Sequence, residues 1–257
     1  MKKRKQASHK GENGIVVVIG GSELYVGAPI LTAMAALRSG VDLAYLAAPE
    51  IVSAIANAYS PDIISVKLPG KYLRPGHMDE IRKYAKRADC LVIGNGAGLR
   101  TETRSLLKKV CMTDKPKVID ADALDAIKGI KVSNCVLTPH HGEFRDLFGE
   151  EGGRNTIRKY AKKDMIILLK GPIDLVSDGK SIVEIKGGNP GMTVGGTGDV
   201  LAGLTAGLIA QGEPLMKAAV LASRINKKAG DIAYRKKGYG LLASDLVEII
   251  PEILKKK

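Results

Sequence analysis

The chemistry available to this sequence is concentrated in one glycine-rich stretch that ends in an aspartate. Seven glycines lie in residues 187–203, which include the run NPGMTVGGTGDVLAG. Glycines allow the backbone N–H groups of a loop to point towards one place, because no Cβ atoms are in the way. A predicted helix that begins at Asp199 adds the free N–H groups of its first turn. The stretch therefore predicts an anion-binding site.

Asp199 stands where a carboxylate would repel a bound anion. Such a position makes chemical sense if the carboxylate removes a proton, and in a nucleotide site it suits a general base acting on a hydroxyl. The alternative is that Asp199 is the N-cap of the helix, for which aspartate is a common choice. The glycines beside it favour the base, and we predict that Asp199 is catalytic.

The elements that position this stretch can be predicted from short apolar runs, most of which lead into glycine or polar clusters. Strand and helix alternate in the first half, which is typical of a doubly wound α/β sheet that binds ligands at the carboxyl ends of its strands. The predicted strands there are 15–19, 43–47, 63–68, 90–93, 117–119 and 135–137, with helices predicted at 27–38 and 78–86.

The pattern changes in the second half of the chain. Asp178-Gly179 predicts a hairpin turn between two strands, and helices are predicted from Val200 to the C-terminus. The consecutive strands predicted before that point are 165–169, 174–177 and 181–185. The sequence therefore predicts an α/β protein whose parallel sheet is extended by a hairpin.

Length and charge limit the classes of protein. We expect one domain over residues 1–257, with basic tails at 1–8 and 255–257. Lys and Arg number 40 against 27 Asp and Glu, and the net charge of +13 favours anionic partners. The charges are spread along predicted helices, which favours a solvated surface over a nucleic-acid-binding face. Only 4% of residues are aromatic, which leaves little to stack on bases. A nucleic-acid-binding protein is the alternative of another class, and a salt-dependent gel shift would detect it.

The cysteines and the apolar runs restrict the remaining classes. Cys90, Cys111 and Cys135 form no C-x-x-C pair, so we predict buried free thiols rather than a metal site or a disulfide. The basic N-terminus lacks the apolar stretch of a signal peptide, and no apolar run reaches the ~18 residues of a membrane span. We therefore expect a cytoplasmic protein with no membrane partner.

Six motifs that occur in order along the chain resemble one known family. The GGTGD segment at 195–199 is similar to the anion-hole and catalytic-Asp motif of ribokinase-like enzymes, and by itself indicates only that superfamily. Together the motifs resemble the NAD(P)H-hydrate dehydratase family over nearly the whole chain. They are HKGENG at 9–14, VIGGSELYVGAP at 18–29, IDADAL at 119–124, LTPHHGEF at 137–144, LLKGPIDLVSDG at 168–179 and NPGMTVGGTGDVLAG at 189–203.

The resemblance implies a fold and a reaction. The fold would be ribokinase-like, with a mostly parallel sheet flanked by helices on both faces. Members repair hydrated NADH or NADPH: a nucleotide phosphorylates the added ring hydroxyl, and phosphate then leaves. Microbial members mostly use ADP and animal-type members ATP, so we expect ADP with Mg²⁺ and the products NAD(P)H, AMP and phosphate. The resemblance also implies a homo-oligomer, a tetramer in the family. The motifs include no counterpart of the epimerase domain that many members carry.

The resemblance assigns roles to residues in the second half of the chain. Asp199 would deprotonate the ring hydroxyl as it attacks phosphorus. The N–H groups of Gly196, Thr197 and Gly198 would form the anion hole. For Lys170 a solvated surface lysine is an equal alternative. The nucleotide-binding residues would be Lys170, Gly171, Pro172, Ile173, Asp174 and Gly198.

The resemblance also assigns the dinucleotide substrate to Ala28, Gly98 and His140, together with Asp199. Each of the first three has a structural alternative. Ala28 would serve close helix packing and Gly98 a turn, whereas His140 would be the N-terminal residue of a helix.

The sequence departs from the family at several positions. Val194 stands where Thr is frequent, which removes a hydroxyl but leaves the backbone anion hole intact. His141 stands where Pro is usual, and GNGAG at 94–98 differs from the usual glycine cluster. Within the same fold, the alternative is a small-molecule kinase for a vitamin precursor or a sugar. Such a kinase would keep its phosphorylated product, whereas the dehydratase eliminates phosphate.

Overall fold

A nine-stranded sheet organises residues 6–255, the part of the chain that the computed structural model describes. The sheet order is β3-β2-β1-β4-β5-β6-β7-β8-β9. Strands β1 to β7 are parallel, and β8 and β9 are antiparallel to their neighbours. The strands are β1 (Ile15–Ile19), β2 (Leu43–Pro49), β3 (Ile64–Leu68), β4 (Cys90–Ile93), β5 (Lys117–Ile119), β6 (Cys135–Leu137), β7 (Met165–Leu169), β8 (Asp174–Ser177) and β9 (Ile182–Ile185). The predicted α/β class with a mostly parallel sheet is confirmed.

Helices cover both faces of the sheet and create two separate apolar cores. Helices α1, α2, α8, α9 and α10 pack on one face, and α3 to α7 pack on the other. The helices are α1 (Gly27–Arg38), α2 (Glu50–Tyr59), α3 (Met78–Ala85), α4 (Thr101–Cys111), α5 (Asp122–Ala126), α6 (His141–Phe148), α7 (Arg154–Tyr160), α8 (Thr197–Ala210), α9 (Leu215–Lys237) and α10 (Ala243–Lys255).

Strand β1 shows why its sequence is apolar without interruption. Val16 and Val18 point into the core that contains α1 and α8, whereas Val17 and Ile19 point into the opposite core. Successive side chains of a strand alternate between faces, so a strand covered on both sides needs apolar residues at every position. The β-branched run 15–19 therefore fits a central parallel strand.

Helix α8 lies very close to α1 because two of its glycines face that helix. A Cβ atom on Gly203 would collide with the carbonyl oxygen of Thr32, and one on Gly207 would collide with the hydroxyl of Ser39. Larger residues would push the two helices apart. This packing brings the N-terminus of α8 to the carboxyl ends of β4 and β5, where Asp199 meets Asn95.

The structure corrects several predicted boundaries. Helix α8 begins at Thr197 and not at Asp199, because Gly196 adopts the left-handed φ of 99° and takes the N-cap position. The interpretation of Asp199 as an N-cap is therefore wrong, since Asp199 is the third residue of the helix. Strand β2 extends through Pro49 rather than ending at 47. Helices α2, α4 and α7 were not among the predicted elements.

The predicted thiols are confirmed as buried and free. Cys90, Cys111 and Cys135 are all buried, and none of them is in a disulfide. Burial raises the pKa of the Cys135 thiol to about 12 and raises that of the other two as well. In the described part of the chain, every helix is too short or too polar to cross a membrane. Residues 1–5 and 256–257 of the predicted basic tails lie outside the described residues.

Candidate active site

Four polar side chains, three at strand ends and one at a helix start, form one connected network at the carboxyl edge of the sheet. Asn95 follows β4, Asp120 follows β5, Lys170 follows β7, and Asp199 lies in the first turn of α8. Lys170 Nζ lies 2.9 Å from Asp120 Oδ1. Asn95 Nδ2 donates to Asp120 Oδ2 at 3.0 Å and to Asp199 Oδ1 at 2.6 Å. Parallel strands bring these distant positions together because their carboxyl ends share one edge.

Asp199 has the electrostatics of a base that works near neutral pH. Burial and the charge of Asp120 raise the pKa of its carboxyl to about 6, while the hydrogen bond from Asn95 and the charge of Lys170 act in the opposite direction. A carboxylate with such a pKa is ionised at neutral pH and accepts a proton more readily than an ordinary aspartate. The group can therefore remove a proton from a hydroxyl placed beside it.

The backbone beside Asp199 offers free hydrogen-bond donors. Thr197, Gly198 and Asp199 are the first residues of α8, so their N–H groups have no acceptor in a preceding helical turn. The Thr197 hydroxyl is turned away, since it donates to the carbonyl oxygen of Met192 at 2.8 Å. No atom lies within 4 Å of a Cβ built on Gly195. This end of the helix can thus hold an anion with backbone groups and the helix dipole.

A cavity of about 830 Å³ lies next to this helix end. It is large enough for a nucleotide-sized ligand. Besides the glycine stretch, its walls include Asn226 and Lys227 of α9. Among the predicted site residues, those that line it are His140, Lys170, Gly171, Pro172, Asp174, Gly196, Thr197 and Gly198.

Lys170 is not a solvated surface lysine. Its side chain is only 20% exposed, and Nζ is within 3.6 Å of Glu143 Oε2 as well as close to Asp120. Burial lowers the pKa of this amine, but the attraction of Asp120 and Glu143 is stronger and the net pKa is raised. The lysine is therefore a fixed positive charge at the wall of the cavity.

Asp174 and Lys227 hold the turn that follows Lys170. Asp174 accepts hydrogen bonds from the backbone N–H of Gly171 at 2.9 Å and from the Ser223 hydroxyl at 2.7 Å. Lys227 Nζ donates to the carbonyl oxygens of Gly171 and Pro172 at 3.0 and 3.2 Å. Asp174 thus forms part of the cavity wall and fixes the turn that follows Lys170.

Ile173 was predicted to bind the nucleotide and lies off the cavity, whereas Lys227 was not predicted and lies on it. Ile173 is 44% exposed and does not line the cavity. Lys227 lines the cavity, yet it was not predicted, and nothing in the local sequence distinguishes it from the other lysines of α9.

His140 combines the two roles that the sequence left open. It is the N-cap of α6: its Nδ1 accepts from the N–H of Glu143 at 3.1 Å, and its own N–H donates to Glu143 Oε2 at 2.7 Å. The structural alternative for His140 is therefore confirmed. The side chain is also 60% exposed and lines the cavity, so it is available to a ligand.

Ala28 and Gly98 lie apart from the residues that line the cavity. Ala28 sits in the first turn of α1, where it packs against Gly96. The N–H of Gly98 donates to Asp122 Oδ2 at 2.8 Å. Both positions border the turn that contains Asn95. The structure thus divides the predicted residues into a cavity group and a turn group, which are joined through the Asn95–Asp199 hydrogen bond.

Two buried amides of the site were not predicted as site residues. Asn95 appeared only as a member of the GNGAG cluster, and Asn226 is one of many polar residues in α9. The side-chain oxygens of both are buried and have no hydrogen-bond partner in the part of the chain that the structure describes. Unsatisfied buried acceptors are rare in folded proteins, so each of these two oxygens requires an explanation.

The described residues do not fit a resident metal site. Within residues 6–255, no group of three or more His, Cys, Asp or Glu side chains is arranged to hold a metal ion. The ammonium of Lys170 also already neutralises Asp120, one of the buried carboxylates of the site.

The chain matches a protein family that has been described. The family model for NAD(P)H-hydrate dehydratase matches residues 16–252. The chain belongs to the NAD(P)H-hydrate dehydratase family. This confirms the resemblance that the six motifs carried.

Proteins with similar sequences carry names from this family. The bifunctional NAD(P)H-hydrate repair enzyme Nnr of Hyperthermus butylicus is 43% identical over 98% of this chain, which spans only 50% of that relative. The ADP-dependent (S)-NAD(P)H-hydrate dehydratase of Cenarchaeum symbiosum is 40% identical over 98% of this chain and 92% of the relative. The chain thus spans about half the length of several relatives and nearly all of others.

Solved structures agree with this fold. A ribokinase-like superfamily protein from Enterococcus faecalis has a TM-score of 0.88 with 28% identity, covering 99% of this chain and 91% of that one. An ADP/ATP-dependent NAD(P)H-hydrate dehydratase from Bacillus subtilis has a TM-score of 0.84 with 23% identity, covering 100% and 94%. The ribokinase-like fold predicted for this member of the NAD(P)H-hydrate dehydratase family is confirmed.

Proposed function

We propose that this chain catalyses the ADP-dependent dehydration of hydrated NADH and NADPH. The observation that carries the proposal is Asp199, a carboxylate with a raised pKa at a helix N-terminus whose backbone N–H groups are free. The family membership and the name of the Cenarchaeum relative support the same activity. On this proposal the enzyme is a carbon–oxygen lyase built on a kinase fold.

The first step is a phosphoryl transfer. The oxygen of the ring hydroxyl attacks the β-phosphorus of ADP while Asp199 accepts the proton of that hydroxyl. AMP leaves with the electrons of the broken P–O bond. The N–H groups of Gly196, Thr197 and Gly198 hold the phosphoryl oxygens while negative charge accumulates. Lys170 adds a fixed positive charge at the cavity wall. Mg²⁺ would neutralise phosphate charge when it enters with the nucleotide.

The second step is an elimination. The C–O bond to the new phosphate breaks, and phosphate leaves with the bonding electrons. Water takes the proton of the neighbouring ring carbon, and the electrons of that C–H bond restore the double bond of NADH or NADPH. The balance of both steps is the loss of water from the hydrated cofactor and the cleavage of ADP to AMP and phosphate.

The two groups of predicted residues match the two ligands in this proposal. The cavity group with Lys170 and Gly171 takes ADP. The turn group with Ala28 and Gly98 faces the nicotinamide end of the substrate. His140, which the resemblance assigns to the dinucleotide substrate, lines the cavity, and Asp199 is joined to the turn group through Asn95.

The decisive experiment incubates the protein with hydrated NADH or NADPH and either ADP or ATP. We expect the absorbance of the reduced nicotinamide to return, with AMP and phosphate formed in equal amounts when ADP is used. A phosphorylated product that accumulates without restored NADH would show instead a small-molecule kinase. No turnover of the hydrated cofactor with either nucleotide would contradict the proposal.

We further propose that the protein is a single-domain cytoplasmic homo-oligomer, a tetramer, that uses Mg²⁺ and binds no nucleic acid. Exposed apolar side chains at Leu24, Tyr25 and Tyr59 support an interface between subunits. Sedimentation equilibrium would measure the subunit number. A gel shift at physiological salt would detect nucleic-acid binding, and chelation of divalent ions would test the need for Mg²⁺.

A further inference from the structure

Asn95 occupies an unusual position in the turn after β4. The residue is completely buried, and its amide nitrogen donates to carboxylates on both sides, Asp199 at 2.6 Å and Asp120 at 3.0 Å. Its side-chain oxygen is buried and has no hydrogen-bond partner among the described residues. The donor side of the amide is fully used, whereas its acceptor side is unsatisfied.

An unsatisfied buried oxygen destabilises a fold, because it loses its hydrogen bonds to water and gains none in return. The turn itself does not require an amide at this position, since Gly94 and Gly96 supply the left-handed φ angles of 117° and 65°. An amide does supply a neutral pair of donors between two carboxylates. The presence of Asn95 is therefore explained by Asp120 and Asp199 rather than by the turn.

The charged groups around Asp199 come from several elements. Asp120 at the end of β5 and Asp122 at the start of α5 repel its charge, and Lys170 at the end of β7 attracts it. Glu143 of α6 is 3.6 Å from the Lys170 ammonium and competes for it. Among the described side chains, Asn95 is the one that donates a hydrogen bond to the Asp199 carboxylate.

We propose that Asn95 is a positioning residue for Asp199: its amide fixes the carboxylate beside the anion hole and favours its ionised form against the repulsion of Asp120. The inference rests on the proposed role of Asp199 as the base. It adds a residue outside the cavity lining that acts on the reaction only through Asp199.

The test uses Asn95→Leu, which removes both donors at similar size. The matched control is Thr138→Val, which removes a buried 2.8 Å hydrogen bond to Asp120 without touching Asp199. We expect Asn95→Leu to lower kcat at neutral pH by about tenfold to a hundredfold, the worth of a hydrogen bond to a charged group. The KM for ADP should stay near the wild-type value, and the acid limb of the kcat–pH profile should move to higher pH. In Thr138→Val the acid limb of the kcat–pH profile should stay at the wild-type pH.

A second measurement needs no substrate. Carboxyl-carbon NMR follows the protonation of Asp199 in the free protein, in the wild type and in both variants. We expect the midpoint of Asp199 to lie at higher pH in Asn95→Leu than in the other two. An unchanged midpoint would overturn the inference. Because the free protein is titrated, failure of the proposed reaction would leave this result interpretable.

If Asn95→Leu does not fold, the smaller Asn95→Ala replaces it. The wild type also provides a test that leaves Asn95 intact. The side-chain N–H resonances of Asn95 should shift with pH at the midpoint of Asp199, and this shift should vanish in Asp199→Asn. Resonances that do not follow Asp199 would overturn the inference without any change at position 95.

Discussion

At the scale of the residue, Asp199, the base that we propose, lies in an environment that opposes its charge. Burial and Asp120 raise the pKa of its carboxyl to about 6. The same environment makes the ionised form costly in the folded protein, since the unfolded chain would titrate near the ordinary value of 3.8. Activity and stability therefore respond to Asp199 in opposite directions, and both responses can be measured.

Asp199→Asn should abolish most of the turnover. An amide cannot accept the proton of the ring hydroxyl, so we expect kcat to fall by about 10² to 10⁴ while ADP still binds. In the wild type, kcat should fall as pH drops below about 6, where the base becomes protonated. Steady-state kinetics between acid and neutral pH check both points. A variant that keeps more than about a tenth of wild-type kcat would exclude general-base catalysis at this residue.

The same variant should be more stable than the wild type at neutral pH. A raised folded-state pKa means that the wild type loses stability as pH rises from the unfolded value towards 6, and Asn avoids this loss. We expect the free energy of unfolding to increase by about 1–3 kcal/mol at pH 7.5, and to change little near pH 4. The matched control is Asp178→Asn, because hydrogen bonds from the backbone lower the pKa of Asp178. That variant should lose stability at neutral pH and keep its turnover.

The sequence predicted a residue of the site when that residue belongs to a continuous motif. It did not predict a residue whose place in the site depends on a partner far away in the sequence. Asp199 and Lys170 stand in continuous motifs, and the structure places both at one edge of the sheet. Asn95 acquires its place from Asp199, 104 residues away, and Lys227 from Gly171, 56 residues away. No local pattern records such pairs. Local sequence also does not reveal that Asp174 faces the interior and that Ile173 does not line the cavity.

At the scale of the element, α8 links the core to the site. The strands were predicted within one or two residues. The central ones are continuous apolar runs, because a strand buried on both faces needs apolar residues at nearly every position. The start of α8 was missed because it depends on the left-handed conformation of Gly196, one of seven glycines in the stretch. Which glycine turns the chain is decided by the surrounding packing.

Gly203→Ala should destabilise the protein by forcing α8 away from α1. The added Cβ would meet the carbonyl oxygen of Thr32, which is held in the α1 backbone and cannot move alone. We expect the free energy of unfolding to fall by about 1–3 kcal/mol, measured by denaturant titration. Gly27→Ala in α1 is the control, since a Cβ there meets no atom within 4 Å and stability should be kept. Equal stability of the two variants would show that the helices adjust freely.

At the scale of the whole molecule, the charge is the least informative feature of the sequence for function. The net charge of +13 suggested anionic partners in general, and it does not distinguish ADP from a nucleic acid. The site explains only a small part of the excess positive charge, because Lys170 and Lys227 each form an ion pair with a buried carboxylate. The two cores lie on opposite faces of one continuous sheet, and the single domain over residues 1–257 stays a prediction.

Removal of the terminal lysines should leave the enzyme active. We expect a chain trimmed before Ala7 and after Leu254 to keep its kcat and its KM for ADP, because the residues that line the cavity and the Asn95–Asp199 hydrogen bond all lie between those two positions. The trimmed and full-length chains are compared in the same assay at low and at physiological salt. Loss of turnover in the trimmed chain at physiological salt would show that the termini take part in the reaction.

The burial of all three cysteines has a practical consequence for spectroscopy. Cys90, Cys111 and Cys135 are the whole cysteine content of the chain, and none presents a thiolate to solvent. Maleimide dyes and spin labels react with accessible thiolates, so the folded wild type offers them no target. A cysteine introduced at an exposed position, such as Lys180 in the β8–β9 hairpin, would be labelled alone. Distance measurements between this hairpin and a fluorescent nucleotide then need no cysteine-free background.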